Sequence, residues 1–263
     1  MARGRITLPL LGLTAILIAT SGSQPAARSV AAATAAPAQP VLVTQPALSG
    51  GVDLLGIWIK AARETFARVR DYQCTFSKRE RIDGTLQDEQ IAVMKVRSQP
   101  FSVNVKFMSP RSVSGKEASY VTGKHNGKMK AKSSGALGLV GYVTMDPRDP
   151  KALRGTRHSI TEAGIGNLID RLATEHAQGQ AEGRKVQVTF AEVTFNWRKC
   201  IRFEVLDQAA DGVNQQPRTV IYFDKETNLP VRSELYDRRG ELVECFSYTD
   251  LHFNIGLTDA AFP

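Results

Sequence analysis

The sequence predicts an α+β domain in which a strongly curved antiparallel sheet is covered on one face by a few helices. Three observations predict it. About ten segments alternate apolar and polar residues with period two, against two segments with helical spacing. The turns between successive alternating segments are short and carry Asp83-Gly84, Asn126-Gly127 and Arg239-Gly240, which joins neighbours antiparallel. No internal repeat and no regular strand–helix alternation suggests a parallel arrangement. A sheet of about ten antiparallel strands curls, and its apolar face needs helices to cover it.

The elements follow in order. Met1 to Arg5 carries two arginines, the run from Ile6 to Thr20 is mostly apolar, and Ser21-Gly22-Ser23 and Ala26-Ala27 are small. A basic start, an apolar core and a small-residue exit read as an export signal over residues 1–27, with cleavage expected between Ser21 and Ala27. The alternative is a retained membrane anchor, but the apolar run falls short of the ~20 residues that a spanning helix needs. No cysteine lies near this segment to carry a lipid. No later stretch is long and apolar enough to span, so the expectation is an exported protein of the periplasm or cell envelope, with no stable transmembrane segment after cleavage. Residues 28–50, rich in Ala and Pro, read as a disordered tether, and residues 51–263 as one domain with a full core.

Val52, Leu55, Ile59, Ala62, Phe66 and Val69 recur at helical spacing, with Glu64 and Arg68 placed to pair off that stripe. Tyr72, Cys74 and Phe76 then alternate with polar neighbours in a strand that reaches the Asp83-Gly84 turn and returns through Ile91, Val93 and Lys95. Phe101, Val103, Val105 and Phe107 mark a half-buried strand ended by Pro110, and Lys116 to Thr122 and Lys128 to Ser133 make a further hairpin. Ser159 and Glu162 form a capping-box pattern ahead of a helix with Ala163, Leu168, Ile169 and Leu172 on one side. Strands are expected at Lys185 to Phe195, Lys199 to Leu206, Arg218 to Asp224, Pro230 to Tyr236 and Glu241 to Leu251.

The formal charge of +8 includes Arg3 and Arg5, which leave with the signal. The remaining surplus suits anionic lipid, an acidic polymer or an acidic partner, or is simply a solvated basic surface. Nucleic acid is excluded: the compartment is wrong, and no basic cluster is interleaved with a row of aromatics. Three cysteines, Cys74, Cys200 and Cys245, read as small buried hydrophobes; if one pair is oxidised, Cys200 and Cys245 in the C-terminal strands are the pair. There is no C-x-x-C, no G-x-S-x-G, no H-E-x-x-H and no phosphate loop, and His125, His158, His176 and His252 are scattered. Nothing calls for a cofactor, a metal or a catalytic residue. Glu80, Glu117 and Glu204 are not isolated as an apolar pair.

Two segments admit a binding role. The glycine-rich insert Gly135 to Tyr142 is either a packed loop or a mobile lid carrying Leu137, Leu139 and Val140. In Lys78-Arg79-Glu80-Arg81, alternation puts Lys78 and Glu80 on one face and Arg79 and Arg81 on the other. These charges either pair across the hairpin with Asp88 or Glu89, or Arg79 and Arg81 grip a lipid phosphate or carboxylate. Phe76, Val93, Val103, Val105 and Phe107 are the candidate lining of a cavity on the apolar face. A filled core is the alternative.

The combination of Cys74-Thr-Phe-Ser-Lys-Arg-Glu-Arg-Ile-Asp-Gly84, Met94-Lys-Val-Arg97, Tyr120-Val-Thr-Gly-Lys124, Gly155-Thr-Arg157, Leu229-Pro-Val-Arg232 and Gly256-Leu-Thr-Asp259 resembles an uncharacterised family of secreted bacterial proteins, the domain of unknown function 1571. That family is similar in turn to the LolA-like lipoprotein carriers. This resemblance implies an unclosed half-barrel wrapping two or three helices, with an apolar concave face that takes acyl chains; it implies no ligand identity and no binding residue. The expected function is a non-catalytic periplasmic protein that holds an acyl lipid or lipoprotein. The alternatives are an envelope sensor or scaffold that binds a protein partner, marked by an exposed apolar patch, and an enzyme acting on envelope lipid or polymer, marked by carboxylates or histidines that converge inside the cavity.

Overall fold

The structure, a computed structural model, describes residues 53–135, 141–207 and 217–263. The export signal, the tether and the insert residues Leu137, Leu139 and Val140 lie outside the described residues.

Asp53 caps the first helix, α1 (Leu54–Phe66), by accepting the Gly56 N–H at 2.9 Å. Leu55, Ile59 and Ala62 are its buried stripe, as their spacing predicts. The helix ends one turn earlier than the apolar pattern: Val69 is buried from the turn that follows it. Glu64 pairs with Lys60 at 4.0 Å rather than with Arg68.

Seven strands follow: β1 (Asp71–Ile82), β2 (Thr85–Leu86), β3 (Gln90–Arg97), β4 (Ser102–Ser109), β5 (Glu117–Val121), β6 (Met129–Lys132) and β7 (Tyr142–Met145). Asp83 and Gly84 both take positive φ, the conformation a tight two-residue hairpin turn requires. After a single turn at Ile160–Glu162 comes α2 (Ile165–Ala181), then β8 (Val186–Phe195), β9 (Arg198–Asp207), β10 (Arg218–Asp224), β11 (Pro230–Tyr236) and β12 (Leu242–Phe253). β2 and β7 are the strands that periodicity missed; each is too short to show a period.

The strands form one antiparallel sheet in the order β7-β6-β5-β4-β3-β1-β12-β11-β10-β9-β8, with β2 paired to β1. The chain builds one wing outward from β1, crosses by α2, and builds the other wing back to β12 beside β1. Among the described residues β7 and β8 are the two edges and do not pair, so the sheet is an unclosed half-barrel. Leu55, Ile59, Leu168, Ile169 and Leu172 of the helices pack with Tyr72, Met94, Val103, Phe203 and Phe223 of the inner face in one core.

The Ser159–Glu162 pattern caps only the single turn: Ser159 Oγ accepts the Thr161 N–H at 3.4 Å. α2 begins after Gly164, whose φ of 101° suits glycine, and the Ile165 N–H is capped from across the fold by the Tyr72 hydroxyl at 2.8 Å. A long-range contact therefore sets this helix start, which is why the local signal placed it too early.

All three cysteines are free and buried. Cys200 and Cys245, the pair that oxidation would join on the sequence reading, do not meet: β10 and β11 lie between their strands. Three strand spacings of ~4.8 Å separate them by ~14 Å, beyond the ~7 Å limit for a disulfide.

Candidate functional site, a divided cavity on the inner face

Register places the inner-face side chains. Cys74, Met94, Val105 and Ala118 are successive cross-strand partners on β1, β3, β4 and β5. Phe76, Ala92 and Phe107 form the next rung, and Phe76 is also opposite Tyr248 of β12. The helices leave part of this wall uncovered. A cavity of about 660 Å³ lies there, bounded by Phe76, Met94, Val105, Phe107, Phe246 and Tyr248 and by Leu168 of α2.

Of the five expected lining residues, Phe76, Val105 and Phe107 border this cavity. Val103 shares their face but is fully buried in the packed rung with Tyr72 and Val96, away from the open space. Val93 is a correction. It pairs with Thr75 and Lys106 on the opposite, outer face, because the inward parity of β3 runs through Ala92, Met94 and Val96. Arg79 and Arg81 are corrected for the same reason: both leave the inner face. Arg79 donates to the Gln87 carbonyl at 3.1 Å, and Arg81 to the carbonyls of Leu242 at 3.1 Å and Gly84 at 2.9 Å. Glu89, expected to pair with this charge run, instead accepts from the Ser77 hydroxyl.

The inward charges are Lys78 and Glu80. Lys78 Nζ lies 2.7 Å from Glu80 Oε2, and the Arg157 backbone N–H donates to Glu80 Oε1 at 3.0 Å. Opposite Glu80 stands Glu244 of β12, 1% exposed at its side chain. Its Oε2 accepts from His158 Nε2 at 2.7 Å and from Arg157 Nε at 3.2 Å, while Arg171 of α2 approaches Oε1 at 3.7 Å. His158 Nδ1 lies 3.1 Å from Glu162. This network divides the interior. On its far side a second cavity of about 640 Å³ runs under α1 and α2 along β8 to β11, bordered by Ile59, Leu172, Val188, Val205 and Ile221, and His158 and Arg171 face both cavities.

Burial by itself would lower the His158 pKa, but its hydrogen bond to Glu244 and that carboxylate's charge raise it above the ordinary 6.5. Burial would raise Glu244; the His158 hydrogen bond and the charges of His158, Arg171 and Arg157 hold it below the ordinary 4.5. A carboxylate lies against each ring nitrogen of His158, an arrangement that favours the protonated, doubly donating ring.

Carboxylates and a histidine thus converge inside the fold, contrary to the reading of scattered histidines and unpaired acids. Glu80, His158 and Glu244 bring ligand-type atoms within 4.8 Å of one another. Their lone pairs are largely occupied: Lys78 and Arg157 hold Glu80, and His158 and Arg157 hold Glu244 Oε2. A divalent cation would have to displace these partners. The chemistry on offer is that of a buried ion-pair network. Its signal was present in the sequence: Lys78 and Glu80 continue the parity of Cys74 and Phe76, and Glu244 that of Phe246 and Tyr248.

A family model matches residues 69–263. The chain belongs to that family, the proteins of unknown function designated DUF1571. No curated protein matches this DUF1571 chain. Solved structures that are loosely similar in form include Mycobacterium tuberculosis lipoprotein LppX, with 11% identity, covering 78% of this chain and 97% of that one, at a TM-score of 0.46. A LolA superfamily protein from Nitrosomonas europaea has 12% identity, with 79% and 96% covered and a TM-score of 0.31. The Pseudomonas aeruginosa MucA/MucB complex has 14% identity, with 79% of this chain and 59% of that one covered and a TM-score of 0.46.

Proposed function

We propose that this protein is an exported, non-catalytic binding protein of the cell envelope that holds an acyl lipid or a lipoprotein in its inner-face cavity. The observation that carries this reading is the cavity of about 660 Å³ walled by Phe76, Met94, Val105, Phe107 and Phe246. An apolar space of this size favours a flexible hydrocarbon chain, since each buried CH₂ contributes ~0.8 kcal/mol. The proposal includes removal of residues 1–27 as an export signal, residues 28–50 as a tether and residues 51–263 as the binding domain. Phe76, Val105 and Phe107 are proposed as ligand contacts. No helix among the described residues is long and apolar enough to cross a membrane.

The test is purification from the native envelope without detergent, followed by mass spectrometry of the organic extract. A stoichiometric acyl lipid, absent from a control protein handled in the same way, is the expected result. An empty extract from correctly folded protein would overturn it.

One observation favours the alternative of a protein-binding scaffold. Trp197, at the tip of the β8–β9 hairpin, is 95% exposed and shares positive φ with Asn196, a costly conformation for a bulky residue. Loss of a co-purifying envelope protein on Trp197→Ser, together with an empty extract, would replace the lipid reading with this one.

A further inference from the structure

We propose that the cavity selects an amphiphile whose head carries an oxyanion, recognised by Lys116, Lys151 and Arg154. This rests on the reading of the cavity as an acyl site and adds the class of headgroup.

The charges that border the cavity fall into two groups, those already neutralised and those not. The deep ones are. Lys78 is held by Glu80, and His158 and Arg171 by Glu244. The carboxylates are also engaged: Glu162 faces His158, and Glu117 accepts from Asn104 Nδ2 at 2.8 Å and hydrogen-bonds the Tyr142 side chain. Among the described residues three cations remain, Lys116, Lys151 and Arg154. Lys116 precedes β5, and Lys151 and Arg154 follow β7, so two separate segments bring them to one cavity. None forms an ion pair with a described carboxylate. Lys132 of β6 is not one of them: it continues the outer rung of Val93, Lys106 and Glu117 and lies over the Tyr142 ring at 5.9 Å.

Lys116, Lys151 and Arg154 border the cavity and are exposed, which places them at its opening, while Met94 and Val105 are buried in its wall. A chain entering along that wall leaves its head among uncompensated cations. Three such charges at the rim of a low-dielectric cleft reinforce one another toward an anion. Lysine and arginine there supply charge-assisted hydrogen bonds to phosphate or carboxylate oxygens. The paired charges deeper in offer an anion nothing further, so the head stays at the rim.

The experiment uses the protein as its cell processes it, stripped of lipid and then titrated by fluorescence or calorimetry. The probes are dipalmitoyl phosphatidylglycerol, dipalmitoyl phosphatidylcholine and inorganic phosphate. We expect phosphatidylglycerol to bind about tenfold more tightly than phosphatidylcholine. The preference should shrink at about 0.5 M salt. The combined variant Lys116→Gln, Lys151→Gln, Arg154→Gln should lose the preference yet still bind phosphatidylcholine. A second variant, Arg68→Gln, Lys128→Gln, Lys199→Gln, removes equal charge away from the cavity and should keep it; unchanged melting of both variants reports an intact fold. Equal affinity for the two lipids overturns the headgroup inference and leaves the acyl reading standing. Displacement of phosphatidylglycerol by millimolar phosphate would make this a free-phosphate site and overturn it as well. Failure of either lipid to bind the unaltered protein removes both.

Discussion

Glu244 accepts a hydrogen bond from His158 at 2.7 Å in the middle of the sheet's inner face, while its second oxygen is buried without a hydrogen-bond partner among the described residues. Only the Arg171 guanidinium, 3.7 Å away, stands near that oxygen. Glu244 thus faces three basic side chains, those of Arg157, His158 and Arg171. Its neutralisation should be costly. Removing one partner of a buried ion pair costs ~3–5 kcal/mol, and the partial exposure of these basic partners lowers this to about 2–3 kcal/mol for Glu244→Gln. Urea unfolding of the variant measures it; a loss below about 1 kcal/mol would mean that water already neutralises the cluster.

The same pair sets a pH dependence with two sides. His158 has a raised pKa in the fold, so its contribution is complete below its ordinary 6.5 and is lost as pH rises through the higher folded value. Glu244 has a lowered pKa, so its contribution is complete above its ordinary 4.5 and is lost as pH falls through the lower folded value. The pair therefore stabilises most between those two ordinary values. His158→Gln should flatten the decline in stability on the alkaline side of pH 6.5 and leave other slopes unchanged, as read from unfolding at a series of pH values. An unaltered alkaline slope would assign that decline to other groups.

Parity on β3 and β6 separates the cavity wall from the outer face. Ala131 borders the cavity and is half-buried, so Ala131→Phe should fill part of it, weaken retention of an acyl ligand several-fold and leave the melting temperature unchanged or higher. Val93, on the outer face, accepts Val93→Phe with no change in retention. Lipid titration of the two variants provides the comparison, and an equal effect from both would put the ligand somewhere other than this cavity.

The two helices meet at Gly166. A Cβ there would lie 2.5 Å from Phe66 Cε1, far inside contact distance. Alanine's better helix propensity, worth ~1 kcal/mol, is outweighed by an overpacking cost of ~1–3 kcal/mol. Gly166→Ala should therefore destabilise, and Phe66→Leu in the same chain should restore part of the loss. Thermal unfolding decides; a stabilised single variant would show that the Phe66 ring yields freely.

Thiol chemistry offers an independent check on packing. Burial pushes the thiols of Cys200 and Cys245 up to about 11, and that of Cys74 higher still. Native protein should react only slowly with a thiol reagent at neutral pH, and unfolded protein should expose all three cysteines without prior reduction. Two thiols missing after unfolding would reveal a disulfide.

Much of this molecule was legible from the sequence because its signals are local. Period-two runs such as Pro230–Tyr236 and the paired positive-φ turn at Asp83-Gly84 placed strands and hairpins within a residue or two. The helical stripe of Leu55, Ile59 and Ala62 announced a buried face, and enough antiparallel strands implied a curled sheet that needs covering. Parity along β1 already contained the inward turn of Lys78 and Glu80, since they extend the series of Tyr72, Cys74 and Phe76. Tertiary structure decided what depends on strands far apart in the chain. It set Glu80 opposite Glu244 across the β1–β12 seam, brought His158 and Arg171 between two cavities, and capped α2 with Tyr72. Alternation says which residues share a face, but which face turns inward on each strand, and what meets it there, is fixed only when the two wings close on the helices.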